Sequence, residues 1–380
     1  MNGAVKGVRV LETAQHVAGP YCGKLLGDNG ADVVKIEPPP GDLARTLGPF
    51  PGDEPHPERS GLFLHLNTSK RGVVLDLSTS EDADLFRRLA RDAAVVVDDG
   101  ALGRAGIAYE ELAARNPRIV LVELSAFGQS GPYADFRMDD YVAYAVTGWM
   151  SAMGERGRPP VYPGRDYPFY VAGIYAAFGA TLALLHALRT GQGQRVGVSV
   201  LDATISIEFY ETTTYSFTGE IRKRQGNRIH GVAASLQPCS DGWVALTVNQ
   251  TWGTFAEVIG APELAEGRFA TPQLRMDNAD ELERLVRAAL AHKTVDQVVR
   301  ECQAHRVAVS PVATTADILR SDQFADRGWF TEVDHPEAGR VLQTGPPFRL
   351  SACGWAAAPA PLLGQHSDEV LGALREEVAS

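Results

Sequence analysis

Alternation constrains this chain most: short runs rich in β-branched residues recur, with helix-patterned segments between them. The runs are Val8–Leu11, Asp32–Ile36, Gly72–Leu77, Ala94–Val97, Ile119–Leu124 and Val196–Val200. Tyr21–Asn29 reads as the first intervening helix, and Ser80–Asp92 as a capped amphipathic helix with Leu85, Phe86 and Leu89 inward. Short apolar strands separated by helices predict a parallel sheet with helices on both faces, a Rossmann-like layer.

The 380 residues exceed the roughly 250–300 at which single cores stop growing, so two domains are expected. The expected fold class is α/β, a large Rossmann-like domain plus a smaller α+β domain. Residues 1–218 make the first part of the large domain, with Leu201–Thr218 reading as a helix. Residues 219–327 make the smaller domain: a turn and strand at Asp241–Val248, then helices around Trp252–Ile259, Ala279–His292 and Thr294–His305. Residues 328–380 are too short for a domain and are expected to return to the first one. The Pro38–Gly61 loop, rich in proline and glycine, fits a functional surface loop and an ordinary insertion equally well.

Composition excludes several classes. The net charge of −11 and the lack of a basic stretch oppose nucleic-acid binding, so any anionic ligand must be held by local cations. Cys22, Cys239, Cys302 and Cys353 are scattered without metal-ligand spacing, which predicts reduced thiols and no metal. Met1–Val10 has no secretory pattern, so the cytoplasm is the expected compartment. Tyr170–Leu188 has no charged residue, but its glycines, alanines and His186 predict a buried helix and no membrane span. Gly191-Gln192-Gly193-Gln194 follows that helix; this position fits a C-terminal turn, not a phosphate cradle.

Five phrases, in this order and spacing, resemble the class III CoA-transferases, the family of formyl-CoA transferase, carnitine CoA-transferase and 2-methylacyl-CoA racemase. They are Ala18-Gly19-Pro20 with Leu25-Leu26 and Gly30–Glu37; Gly41-Asp42 with Arg45; Asn67–Arg71; Gly128–Pro132; and Pro361–Leu371. The likeness runs from Val8 to Leu374. It implies a dimer of interlocked rings, in which each large domain is built from both chain ends and the linkers thread the partner. It also implies acyl-CoA and an organic acid as substrates, with no permanently bound cofactor. The phosphates of CoA need cations, and the resemblance points to Arg45, Lys70, Arg71 and Arg104. His16 and Val17 precede Ala18-Gly19-Pro20, where the family lines the pantetheine and acyl pocket.

In the family's transferases an aspartate attacks the thioester to give a mixed anhydride, and CoA thiolate then converts it to an aspartyl-CoA thioester. Here the aspartate position falls at Phe169, and the nearest carboxylate is Asp166. Two arrangements follow from the resemblance. Either Asp166 is the nucleophile of a homodimer, or this chain is the aspartate-lacking partner in a heteromer with a catalytic paralogue, as in benzylsuccinate-type CoA transfer. A non-catalytic acyl-CoA-binding protein is the other class of reading. Asp139 replaces the histidine of the family's racemases, so racemase activity is not expected, while Asp140 matches an acid that the transferases keep near the cofactor thiol.

Overall fold

The computed structural model describes residues 2–207 and 211–379. Strands β1 (Arg9–Glu12), β2 (Asp32–Glu37), β3 (Lys70–Val74), β4 (Val95–Asp98), β5 (Val120–Ser125) and β6 (Arg195–Ser199) form one sheet in the order β3-β2-β1-β4-β5-β6. Every pairing in it is parallel. Alternate side chains enter opposite layers, as the two-residue period of a strand requires. Val10, Val33, Val95, Val97 and Val122 pack with helices Ala18–Gly27 and Tyr167–Thr190. Leu11, Val34, Ile36, Val96 and Leu121 pack on the other face with Leu85, Phe86 and Leu89 of helix Ser80–Leu89. Both faces are covered, which is why the strands read as unbroken apolar runs.

The uncharged segment lies within the long helix Tyr167–Thr190, closed by Gly191 at φ +78°. Ala172, Ala176, Ala180 and Ala183 of this helix lie in the core. Gly173 allows the close crossing with helix Ala18–Gly27, since a Cβ there would lie 2.6 Å from the Ala18 carbonyl oxygen. By length and composition this helix could cross a membrane, yet half of its apolar window is buried inside the protein.

The tail returns to the edge strand of the sheet. His366 donates its backbone N–H to the Gly72 carbonyl at 2.9 Å and accepts the Gly72 N–H on Nδ1 at 3.1 Å. Arg71 pairs with Asp32 at 2.7 Å and with Glu369 of the last helix at 3.0 Å. A hairpin of two strands, Phe330–His335 and Gly339–Thr344, belongs to the same unit as the sheet.

The chain divides into two units: Met1–Thr147, Gly164–Phe209 and Ala325–Ser380, and Gly148–Pro163 with Tyr210–Phe324. This differs from the sequence expectation, because residues 148–163 join the smaller unit. Their bonding partners explain why: Gly226 donates its N–H to the Gly154 carbonyl at 2.9 Å, and Arg224 donates to the Ser151 carbonyl at 3.1 Å. The smaller unit contains β7 (Ile229–Val232), β8 (Ala234–Pro238), β9 (Trp243–Thr247) and β10 (Val309–Pro311). Of these, β10-β9-β8 form an antiparallel sheet over a core that includes Phe255, Leu282, Val286, Leu290 and Val298. The expected helix Leu201–Thr218 resolves into Val200–Ser206 and Glu211–Thr218, and residues 208–210 lie outside the described residues.

Candidate active site

In a doubly wound sheet ligands bind beyond the carboxyl ends of the strands, where the strand order reverses. Here the reversal falls between β1 and β4. A cavity of about 220 Å³ lies there, lined by Gln15 to Gly19 after β1, Asp99 after β4, Leu124 to Ala126 at the end of β5, Val200 after β6, and Phe169. A second cavity of about 310 Å³ takes Gln15 as a shared wall and adds Pro38 after β2, Asp76 to Ser78 after β3, and Arg104.

The loop after β1 is held from below by buried charges. His16 stands at φ +68°, a left-handed conformation unusual for a residue with a Cβ. Its N–H donates to Asp42 Oδ1 at 3.0 Å, and Asp42 pairs with Lys35 at 2.6 Å. Lys35 also bonds Glu12 at 3.0 Å and the Ala14 carbonyl at 3.1 Å. Glu12 in turn accepts Lys70 on both oxygens at 2.9 Å. Salt bridges therefore run from the sheet to the loop that lines the cavity.

The cation candidates separate by burial. Arg45 has no exposed side-chain surface, pairs with Glu37 and Glu58 at 2.6 Å each, and stacks on Phe63. Lys70 is equally buried and binds Glu12, the Pro20 carbonyl and Asn67. The expectation that these two face a ligand phosphate is corrected by this burial: their charge is neutralised inside the fold. Arg71 holds the tail to the sheet. Arg104, with its side chain 69% exposed, is the candidate that lines a cavity.

Phe169 sits in the first turn of the long helix, its ring edge-on to His16 at 5.5 Å between centroids. Val17 is fully buried behind His16. Asp166 is one turn earlier, at φ +53°, and is not among the residues lining the cavity. Its N–H donates to Asp140 at 3.1 Å, and its carbonyl accepts the N–H groups of Phe169 and Tyr170. Burial, reinforced by the Asp140 carboxylate, pushes Asp166 above the ordinary carboxylate range, while His16 and Arg165 oppose this. Asp139 caps helix Asp140–Val146 by accepting the Val142 N–H at 2.8 Å, so this pair of acids begins a helix and tethers Asp166.

Sequence reading passed over Asp99. Its Oδ2 accepts the Gln15 N–H at 2.9 Å, while Oδ1 is buried without a hydrogen-bond partner beside the cavity. Burial, reinforced by Asp98 and opposed by that hydrogen bond, by Arg104 at 4.0 Å and by Lys35, pushes the carboxyl up to about 6. The signal in the sequence was the acid pair Asp98-Asp99 directly after an apolar strand. Because the folded carboxyl titrates above the unfolded one, the folded chain holds the extra proton, and its stability falls as pH rises from about 4 through about 6. Asp99→Asn removes this penalty. With the side chain 32% exposed, the variant is expected to be more stable than the parent above pH ~6, by on the order of 1 kcal/mol, and to match it near pH ~4. Thermal melts across that range check the sign.

The family model described as CoA-transferase family III matches residues 5–367. The succinyl-CoA–D-citramalate CoA-transferase of Chloroflexus aurantiacus is 33% identical over 98% of this chain and 95% of its own. Subunit BbsE of the succinyl-CoA:(R)-benzylsuccinate CoA-transferase of Thauera aromatica is 29% identical over 93% and 90%. A CAIB/BAIF family protein from Brucella suis has the same fold, with a TM-score of 0.88, 30% identity and complete coverage of both chains.

Proposed function

The chain belongs to CoA-transferase family III, and we propose that it moves CoA between an acyl-CoA such as succinyl-CoA and an organic acid as the aspartate-lacking partner in a heteromer. One observation carries this reading: Phe169, not a carboxylate, lines the cavity at the position where the resemblance puts the nucleophile, and Asp166 lies outside that lining. Phenylalanine has no lone pair with which to attack a thioester, and on this reading a second chain brings the carboxylate to that position. The similar Thauera protein is named as a subunit.

The two adjoining cavities suit one extended ligand. On this reading Arg104, which lines one cavity, meets a phosphate, and Phe169, Leu124 and Val200, which line the other, receive the thioester. The interlocked assembly is supported by the outer face of the long helix, where Ile174, Phe178, Leu182 and Leu188 are each at least half exposed. Apolar surface of that kind favours burial against another chain.

The test is mass spectrometry after incubation with succinyl-CoA and either borohydride or hydroxylamine, which reduce or trap an acylated carboxylate. The isolated chain is expected to bind CoA and remain unmodified, with transfer appearing when an aspartate-bearing paralogue is added. Label on Asp166 of the isolated chain would overturn the reading in favour of an autonomous homodimer. CoA binding without transfer in any pairing would make it an acyl-CoA-binding protein.

A further inference from the structure

We infer that Asp99 is a positioning residue for the phosphate end of the ligand. Its carboxylate competes with a bound phosphate for Arg104, so a phosphate-bearing ligand binds with uptake of a proton by Asp99. This rests on the reading that a CoA-type ligand occupies the two adjoining cavities. The charges there are few. Among the described residues lining them, Arg104 is the one arginine or lysine, and Asp76 and Asp99 are the acids. A pyrophosphate brings further negative charge to a guanidinium that already has the Asp99 carboxylate at 4.0 Å.

The two acids are held differently. Asp76 Oδ1 accepts the Ser78 N–H at 3.0 Å and the Ser78 hydroxyl at 2.6 Å, which keeps that carboxyl below the ordinary range and charged. Asp99 has one backbone donor, the Gln15 N–H on Oδ2, and its Oδ1 is buried without a hydrogen-bond partner. Burial of that kind disfavours the charged form, so Asp99 is the acid that can answer an arriving anion by taking a proton. The other charged groups around it are committed inside the fold. Asp98, at the end of β4, accepts from Thr13, Gly100 and Leu102, and Lys35 of β2 is paired with Glu12 and Asp42. His16 lines the same cavity as Asp99 and is present in every variant below, so comparison of the variants isolates Asp99.

The sign follows from charge. A phosphate held by Arg104 is repelled by an ionised Asp99 and not by a protonated one. Affinity is therefore full at low pH and falls as pH rises through about 6, where the carboxyl of the free protein loses its proton. Ligand binding raises that value in turn. Like charges this close shift a protonation equilibrium by roughly 10-fold, and the affinity falls by the same factor before levelling off.

The probe is dephospho-CoA, whose pyrophosphate lacks the second ionisation that a phosphate monoester has near pH ~6. Calorimetry on the full chain is expected to give affinities within about 2-fold for the parent and Asp99→Asn near pH ~5. Near pH ~8 Asp99→Asn is expected to bind about 10-fold more tightly. Near pH ~6.5, buffers of different ionisation heat are expected to show the parent taking up about half a proton more than the variant on binding. Asparagine keeps an oxygen for the Gln15 N–H, and a gain of affinity cannot come from a failed fold. Arg104→Gln no longer holds the phosphate beside Asp99, and in that background the gain from Asp99→Asn is expected to vanish. Equal affinities of parent and Asp99→Asn near pH ~8, or a gain that survives Arg104→Gln, would overturn the inference alone. No binding of CoA or dephospho-CoA to the parent at any pH would overturn the proposed function and this inference together.

Discussion

Phe169→Asp is expected to give the isolated chain a transferase activity of its own, with acyl-CoA to acid exchange rising roughly 10³-fold or more over its background. The position already has what a nucleophile needs. It lies in the first turn of a 24-residue helix, where backbone N–H groups and the helix dipole favour an anion. It borders the cavity at the strand ends, with His16 as its aromatic neighbour. Losing the ring's packing against the core costs about 3–5 kcal/mol at most, so the melt must be recorded beside the rate. Phe169→Asn is the control, since it creates a similar gap and polarity without a carboxylate, and it is expected to stay inactive. In the same assay Asp166→Asn, paired with an aspartate-bearing paralogue, is expected to leave exchange unchanged. A folded, CoA-binding Phe169→Asp protein with no gain over Phe169→Asn would show that the cavity beside Phe169 is not where the thioester lies.

The sheet was legible because its information is local. Period-two burial and strand length are written in runs such as Val95–Val97 and Val120–Val122, and the long helix ends at Gly191 as the turn signal indicates. What the sequence concealed depends on partners far along the chain. Residues 148–163 join the smaller unit through bonds to residues 224 and 226, which no local pattern announces. Lys70 and Arg45 have the spacing of ligand cations, yet Glu12 reaches Lys70 only once β1 and β3 flank β2, and Glu37 and Glu58 meet Arg45 only when the loop after β2 folds back on itself. Asp98 and Asp99 look alike as neighbours. In the fold Asp98 accepts from Thr13, Gly100 and Leu102, and Asp99 has a single backbone donor, with Arg104 at 4.0 Å, beside the cavity.

The buried charges behind the His16 loop carry the largest stability effect. Glu12→Gln is expected to destabilise the protein by about 3–5 kcal/mol near neutral pH, because it removes a carboxylate shared by two fully buried lysines. Lys35 keeps Asp42 at 2.6 Å, so the loss falls mainly on Lys70. Burial already pulls Lys70 down to about 8 with Glu12 in place, and removing Glu12 lowers it further. The sign of the pH dependence follows. A lysine whose folded pKa lies below its unfolded one burdens the folded state while charged, and is relieved as pH rises through the folded pKa. The variant is relieved first, so its deficit against the parent narrows as pH climbs toward about 8 and is constant above it. Adding Lys70→Met removes the orphaned cation and is expected to restore at least about 2 kcal/mol, measured as a coupling energy in denaturant titrations. The loop should respond with the fold: Glu12 and Asp42 both hold Lys35, which bonds the Ala14 carbonyl, so Glu12→Gln is also expected to weaken CoA binding at the cavity. A Glu12→Gln protein within about 1 kcal/mol of the parent at neutral pH would mean that the buried lysines lose their protons at little cost, and that the network does not hold the loop.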